Sequence, residues 1–284
     1  MRRGEPAAGP FTGAVGGRRL LVYDLGQPLH AGIPCSPNHP GFRMALTRRH
    51  GDTVRADGSS AASELIVTGG HVGTHVDALA HVSHAGLLHG GLDAESAQRG
   101  GSFSVHGVER LPPFVGPATL LDIPRARGVS RLAAGEAVTA EDLKLALALH
   151  GERLQQGQAV LIRTGWGQLW ERPEEFVGLR DGAPGPDERA AEWLLGHGVA
   201  LIGSDTAAFE RIAPGRGHAL LPVHRRLLVD AGVPILEMLA LEQLAAEGRL
   251  SFTLVVAPLK LAGATGSPVR PLALVDGAED DGER

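Results

Sequence analysis

Short apolar runs separated by stretches rich in glycine and proline make up most of the chain. Two of them, at residues 159–164 and 199–203, begin with unbroken apolar sequence, which is typical of strands covered on both faces. The other runs are shorter and lie between turn-forming residues. We predict strands at residues 20–25, 42–47, 63–68, 118–123, 159–164, 199–203, 234–237 and 251–258.

Helices are predicted between several of these strands. The clearest begins at Thr139, which can cap it with Asp142 as the acidic partner three residues later, and runs to about residue 154. A second helix extends over residues 187–197 and ends before Gly198. Further helical segments are predicted within residues 84–101, 220–230 and 241–248.

The succession of elements limits the fold class. Strands mixed with separate helices, without an internal repeat, predict an α/β or α+β fold rather than a barrel of repeated units. We expect one domain over residues 19–276, with a flexible polar tail at residues 1–18 that lacks the apolar core of a signal peptide. A disordered acidic tail is expected at residues 277–284. Residues 204–206 follow the second buried strand, where open α/β sheets place ligands.

The chemistry of the chain concentrates at residues 69–81, which contain three histidines and one aspartate within eleven positions, 71–81. In a helix, His71 and His75 would share a face but Asp77 would point away. In a strand all three share one face, and the intervening glycines and β-branched residues favour a strand. A helical continuation would return His81 to the neighbourhood of Asp77. Imidazoles and a carboxylate grouped in this way predict a metal site.

The predicted site supports a hydrolytic chemistry. A metal held by the first two histidines and the aspartate would lower the pKa of a bound water and polarise a carbonyl. His81 has no required ligand role and could carry the proton. Further ligands must come from elsewhere in the chain; His224 and Glu237 are candidates, with a solvent-facing histidine and a helix-capping glutamate as the alternative. Neither a Gly-x-Ser-x-Gly elbow nor a P-loop is present.

Composition narrows the partners and the compartment. The net charge is −5 and there is no basic run, so a nucleic-acid surface is not expected. There is no apolar run of ~18 residues, so we expect no membrane span. Cys35 is the single cysteine, which excludes an intramolecular disulfide and fits a reducing, cytoplasmic compartment. We interpret Cys35 as structural because no base lies near it in the sequence.

The spacing His71-x-Gly73-Thr74-His75-x-Asp77-x-x-x-His81 resembles the signature of the metal-dependent cyclase family, which includes bacterial kynurenine formamidase and isatin hydrolase. The resemblance extends over most of the chain. Supporting segments are residues 24–25, 162–166, 203–206, 232–237 with the preceding His224, 258–260 and 263–271.

The resemblance implies roles for these residues. The first two histidines and the aspartate of the signature would be metal ligands, and His81 the catalytic acid/base. His224 and Glu237 would complete the metal site. The family fold is a single compact α/β domain with a mixed β-sheet core flanked by helices, of the swivelling β/β/α type. Members assemble as homodimers or homotetramers and use a divalent metal, zinc or manganese.

Two departures from formamidases bear on the substrate. Formamidases usually have proline at the position of Leu79 and an aromatic residue at that of Val82. The segment 84–129 is also long, and both features resemble the larger isatin hydrolase branch. We therefore expect a small-molecule substrate, a compact and largely uncharged cyclic amide or imide.

Several alternatives remain open from sequence. An arylformamidase acting on N-formylkynurenine, a lactone hydrolase and a cyclase are the other enzymes considered, and a non-catalytic metal-binding module is disfavoured by the intact His81. Aromatic content is only 4%, so few residues could hold a flat substrate. The candidates, each of which could equally pack in the core, are Phe103, Phe114, Trp166 and Phe209.

Overall fold

The computed structural model describes residues 9–277. Its strands are β1 Phe11–Val15, β2 Arg18–Asp24, β3 Arg43–Arg48, β4 Ser63–Val67, β5 His75–Asp77, β6 Leu87–Leu88, β7 Leu92–Asp93, β8 Gln98–Arg99, β9 Ser102–Phe103, β10 Phe114–Asp122, β11 Ala137–Val138, β12 Ala159–Arg163, β13 Gly185–Pro186, β14 Leu201–Ser204, β15 Ile235–Glu237, β16 Ser251–Val256, β17 Gly266–Pro268 and β18 Leu272–Asp276. Its α-helices are α1 Ala94–Ala97, α2 Ile123–Arg127, α3 Ala140–His150, α4 Pro173–Val177, α5 Glu188–Gly196, α6 Pro222–His224 and α7 Glu242–Ala246. Three 3₁₀ turns and one π-helix complete the elements, at His89–Gly91, Val108–Arg110, Trp166–Leu169 and Arg225–Ala231.

A ten-stranded mixed sheet forms the centre of the molecule, in the order β1-β2-β18-β16-β10-β12-β14-β15-β5-β17. The four strands β10, β12, β14 and β15 are parallel, and the strands on either side of them pair antiparallel. The predicted α/β domain with a mixed sheet core is confirmed. No helix of the described residues is long and apolar enough to cross a membrane.

The central strands are buried on both faces, as their apolar runs predict. Val160 and Ile162 of β12 face a core formed with α3, α5 and the helical segment after residue 222. The alternate residues of that strand, Ala159 and Leu161, face a second core that includes Leu244 of α7. The period of two along each strand therefore divides the apolar residues between two layers.

Side chains cap the starts of α3 and α5, and the cap of α3 is the predicted one. Thr139 and Asp142 form a reciprocal capping box at the start of α3, which ends at a left-handed Gly151. Asp187 caps α5 by accepting a hydrogen bond from the backbone of Ala190.

The prediction of a flexible tail over residues 1–18 is wrong for its second half. β1 pairs with β2 as an antiparallel hairpin, with Phe11 opposite Val22. Gly16 and Gly17 connect the strands and both have positive φ, 58° and 78°, as a tight hairpin turn requires. Residues 1–8 and the acidic residues 278–284 lie outside the described residues.

A second hairpin, β3–β4, pairs with no strand of the central sheet among the described residues. All of its strand residues are exposed, and five large apolar side chains on it are 50–58% exposed. They are Met44, Leu46, Leu65, Ile66 and Val67. The register places Met44, Leu46 and Ile66 on one face of the hairpin and Leu65 and Val67 on the other. An isolated two-stranded hairpin is marginally stable in water, and exposed apolar side chains grouped on one face are typical of an interface. We propose that a second copy of the chain covers this hairpin in a homodimer or homotetramer.

Placing a charge on the hairpin should disrupt this assembly. In sedimentation at micromolar concentration we expect the wild type as a dimer or tetramer of the 29.6 kDa chain, and Ile66→Asp shifted towards the monomer. Val129→Asp, which changes an exposed apolar residue outside the hairpin, is the matched control and should leave the mass unchanged. A wild type that sediments only as a monomer would refute the proposal.

Candidate metal centre

The register of two adjacent strands assembles the centre of the site. β5 pairs antiparallel with β15, so that His75 lies directly opposite Glu237. Asp77 is two residues from His75 on β5 and therefore points to the same face. All three side chains are buried. The pairing thus brings two carboxylates and an imidazole from distant parts of the chain into one buried volume.

His71 reaches this volume through a turn, so the prediction of one strand from residue 71 to 77 is wrong. Gly73 has a φ of 66°, which interrupts the extended backbone before β5 begins. His71 and Asp77 nevertheless meet as the predicted strand required, because Nδ1 of His71 donates to Oδ1 of Asp77 at 2.7 Å. A Cβ on Gly266 would lie 2.5 Å from the His71 ring, so glycine is required there.

His224 enters the site from the end of α6. Its Nε2 lies 3.2 Å from Oε1 of Glu237 and 3.6 Å from Oδ2 of Asp77. Its Nδ1 donates to Oε1 of Glu210 at 2.8 Å. The structure therefore brings both distant candidates, His224 and Glu237, to the signature residues.

His75 is oriented in a similar way by the backbone. Its Nδ1 lies 2.7 Å from the carbonyl oxygen of Gly73, which can only accept, so Nδ1 carries a proton. Nε2 then faces Asp77 at 3.4 Å and Glu237 at 3.3 Å. Both buried histidines thus direct Nε2 at the carboxylates.

Two buried carboxylate oxygens are without a hydrogen-bond partner among the described residues, Oδ2 of Asp77 and Oε1 of Glu237. Leaving a buried charged acceptor unsatisfied is costly, and a cation would remove that cost. Ligand atoms of His75, Asp77 and Glu237 lie within 4.8 Å of one another. His71, Asp77 and His81 form a second group of the same kind. This set of imidazole and carboxylate donors fits a divalent metal.

The charges of these groups are strongly coupled. Burial raises the pKa of Asp77, but the surrounding histidines more than compensate and hold that pKa well below its usual range. Burial lowers the pKa of His75, yet hydrogen bonds to Asp77 and Glu237 outweigh it and raise the pKa to about 10. Burial also lowers the pKa of His224, but the carboxylates of Asp77, Glu210 and Glu237 outweigh it and raise that pKa well above its ordinary value. The carboxylates therefore attract positive charge into the site.

His81 lies beside this cluster and is half-buried. A turn, rather than the predicted helix, carries it back, since its backbone N–H donates to the carbonyl of Ala78 at 2.9 Å. Its ring stacks on that of His71 with centroids 3.9 Å apart. Burial lowers the pKa of His81 to about 4, an effect that the charge of Asp77 opposes. At neutral pH the imidazole is therefore neutral and able to accept a proton.

Three further residues at the site escaped the sequence analysis. The ring of His39 lies 5.1 Å from that of His71. Burial lowers the pKa of His218, and the charges of Glu237 and His224 act on it as well. Both histidines come from long loops that have no spacing pattern in the sequence. Glu210, the buried partner of His224, had a weak signal, because it closely follows the carboxyl end of β14.

The four aromatic candidates for substrate binding do not form one pocket. Phe103, Phe114, Trp166 and Phe209 pack in four different hydrophobic clusters. Phe209 is completely buried, and the indole N–H of Trp166 donates to the backbone carbonyl of Phe176. The clusters of Trp166, Phe114 and Phe209 each include a chain neighbour of a site residue, namely Val72, Val76 and Val223. These contacts are those of core residues.

Comparison with known proteins identifies the family of this chain. A family model described as putative cyclase matches residues 23–211. The chain belongs to the putative cyclase family. Cyclase-family relatives include the kynurenine formamidase of Sphingopyxis alaskensis, 30% identical over 88% of this chain and 96% of that protein. The isatin hydrolase of Roseibium aggregatum is 29% identical to this chain, over 78% of this chain and 77% of that protein.

Solved structures of the cyclase family share the fold. A crystal structure of a novel cyclase superposes with a TM-score of 0.80 at 28% identity, covering 89% of this chain and 87% of that one. Both curated relatives named above are hydrolases of carbon–nitrogen bonds other than peptide bonds, which places the chain among cyclase-family hydrolases.

Asp77 belongs to both groups of potential ligands, so its removal should have the largest effect on metal binding. We expect Asp77→Ala to lose tightly bound metal, measured by elemental analysis after dialysis. Asp205→Asn is a suitable control, because Asp205 is equally buried but bonds to Thr164 and Gly167 instead. Unchanged metal content in Asp77→Ala would show that the ligands lie elsewhere.

Proposed function

We propose that the chain is a metal-dependent hydrolase that opens a cyclic amide or imide, such as isatin, to a carboxylate. The observation that carries this proposal is the convergence of histidines on two buried carboxylate oxygens that have no hydrogen bond among the described residues, with the neutral His81 stacked at the edge. A site with cation ligands and a separate proton carrier matches the needs of amide hydrolysis.

The residues that would hold the metal are His71, His75, Asp77, His224 and Glu237. Their donor atoms are nitrogen and carboxylate oxygen, which suit zinc and manganese better than softer ions. A bound divalent metal would supply Lewis acidity that polarises the substrate carbonyl. The burial of these side chains limits access of bulk water, which strengthens every electrostatic interaction in the site.

His81 is assigned the proton transfers. In its neutral form it accepts the proton of the attacking water and then delivers a proton to the nitrogen of the breaking carbon–nitrogen bond. The stacked ring of His71 and the charge of Asp77 border it, so protonation during the reaction produces an imidazolium next to a carboxylate. Pairing of this kind stabilises the charged form when it appears.

The long segment 84–129, which distinguishes the chain from formamidases, favours a cyclic substrate. His89 in this segment lies 2.9 Å from the carbonyl of Val229, just beyond His224. Phe103 donates from its backbone to Gly263, two residues before Thr265, whose hydroxyl contacts His71. The insertion is therefore bonded to two segments that carry site residues. The relationship to an isatin hydrolase supports the same substrate class.

A formamidase is the second candidate, because the Sphingopyxis kynurenine formamidase aligns over nearly its full length. Hydrolysis of N-formylkynurenine would use the same metal ligands and the same proton carrier. A lactone hydrolase or a cyclase would differ only in the leaving group. A non-catalytic metal-binding module would have no need of the half-buried neutral His81 beside the ligands.

Removing the proton carrier should separate catalysis from metal binding. His81→Ala should keep its metal and its fold while kcat falls by ~10²–10⁴-fold. Metal content by elemental analysis, circular dichroism and steady-state kinetics measure the three properties. A kcat near that of the wild type would assign the proton transfers to another residue, and a parallel loss of metal would make His81 a ligand.

Substrate preference can be compared directly. With added zinc or manganese, we expect isatin or a simple cyclic imide to have a higher kcat/KM than a lactone or N-formylkynurenine. A preference for N-formylkynurenine of about a hundredfold corresponds to ~2.7 kcal/mol of transition-state discrimination. That result would show that the cyclic-amide proposal is wrong and that the chain is a formamidase.

A further inference from the structure

Glu210 is a buried carboxylate outside the signature, and each of its oxygens is occupied by a defined donor. Oε1 accepts from the backbone N–H of His224 and from its ring Nδ1, both at 2.8 Å. Oε2 accepts from the backbone N–H of Val223 at 3.1 Å. The side chain is 1% exposed, so no water competes for these bonds. Glu210 therefore binds both the start of the helical segment and the ring that enters the site.

We infer that Glu210 is a positioning residue that keeps the proton of His224 on Nδ1 and thereby leaves Nε2 free to ligate a divalent metal. This inference rests on the proposed function, because it concerns the ligand set of that site. A carboxylate has no hydrogen to donate, so the nitrogen facing it must be the protonated one. Nε2, the opposite nitrogen, lies 3.2 Å from Oε1 of Glu237 and 3.6 Å from Oδ2 of Asp77, so it is the nitrogen that can exchange its contact with these carboxylates for a bond to a metal.

Of the two histidines that direct Nε2 at the carboxylates, only His224 depends on a side chain for this orientation. His75 obtains the same orientation from the carbonyl of Gly73, which no substitution can remove. Hydrogen-bonded partners of this kind fix the tautomer and raise the basicity of a metal-binding imidazole. Of these two histidines, His224 is therefore the one whose tautomer a single mutation can change.

The substitution Glu210→Gln makes the inference testable. Glutamine has the size of glutamate, but an NH₂ group replaces one of the two equivalent acceptor oxygens. If its amide oxygen faces His224, the NH₂ group opposes the N–H of Val223, where two donors meet. If it turns over, the NH₂ group faces Nδ1, and the proton of His224 is displaced to Nε2, where it blocks the ligand position. Both arrangements weaken the site.

Zinc affinity provides the first test, by competition with a chromogenic chelator. We expect Glu210→Gln to bind zinc 10–100-fold more weakly than the wild type, the usual effect of losing such a partner. Asp122→Asn is the matched control and should stay within about threefold. Asp122 is also a buried helix-capping carboxylate with a second partner, but that partner is Arg163. Equal affinities for Glu210→Gln and wild type would overturn the inference.

A second measurement does not depend on the variant folding. In the zinc-loaded wild type with ¹⁵N-labelled histidine, His224, assigned by comparison with His224→Asn, should carry its proton on Nδ1. A proton on Nε2 would overturn the inference even if Glu210→Gln were unfolded. A wild type that binds no zinc or manganese would overturn the metal-dependent function as well, whereas a wild type that binds tightly with an insensitive Glu210→Gln overturns only the role of Glu210.

Discussion

The structure of the site depends on the burial of two carboxylates, Asp77 and Glu237, in one low-dielectric volume. Their oxygens approach within 4.8 Å of each other. Like charges this close repel strongly and cannot both remain ionised without compensating positive charge. The surrounding imidazoles provide part of it, as the raised pKa of His75 and of His224 shows. Two of their oxygens still have no hydrogen bond within residues 9–277, so the arrangement is one that a divalent cation completes.

The sheet provides the rigidity that this concentration of charge requires. The parallel strands β14 and β15 lie between two apolar cores, and β5 and β17 extend the sheet antiparallel beyond them. Glu237 and His75 face each other because of register alone. Ligands on paired strands keep their separation better than ligands on loops, which favours a preorganised site.

Chemistry and specificity come from different parts of the molecule. The proposed metal ligands and His81 lie on or directly beside the sheet, whereas the insertion after residue 84 and the loop that carries His39 border the site from outside. The aromatic residues that composition suggested as substrate contacts are occupied in separate cores. Variation in the loops can therefore change the substrate while the metal chemistry is kept.

The sequence by itself determined what depends on local pattern: the buried strands, the capping box at Thr139, and the grouping of His71, His75, Asp77 and His81 within eleven positions, 71–81. It also offered His224 and Glu237 as candidate ligands, which the resemblance to a family then supported. Only the tertiary structure showed that a turn at Gly73 delivers His71, and that Glu210 holds His224. These contacts join residues far apart in the chain or depend on one positive φ, and neither leaves a periodic signal in the sequence.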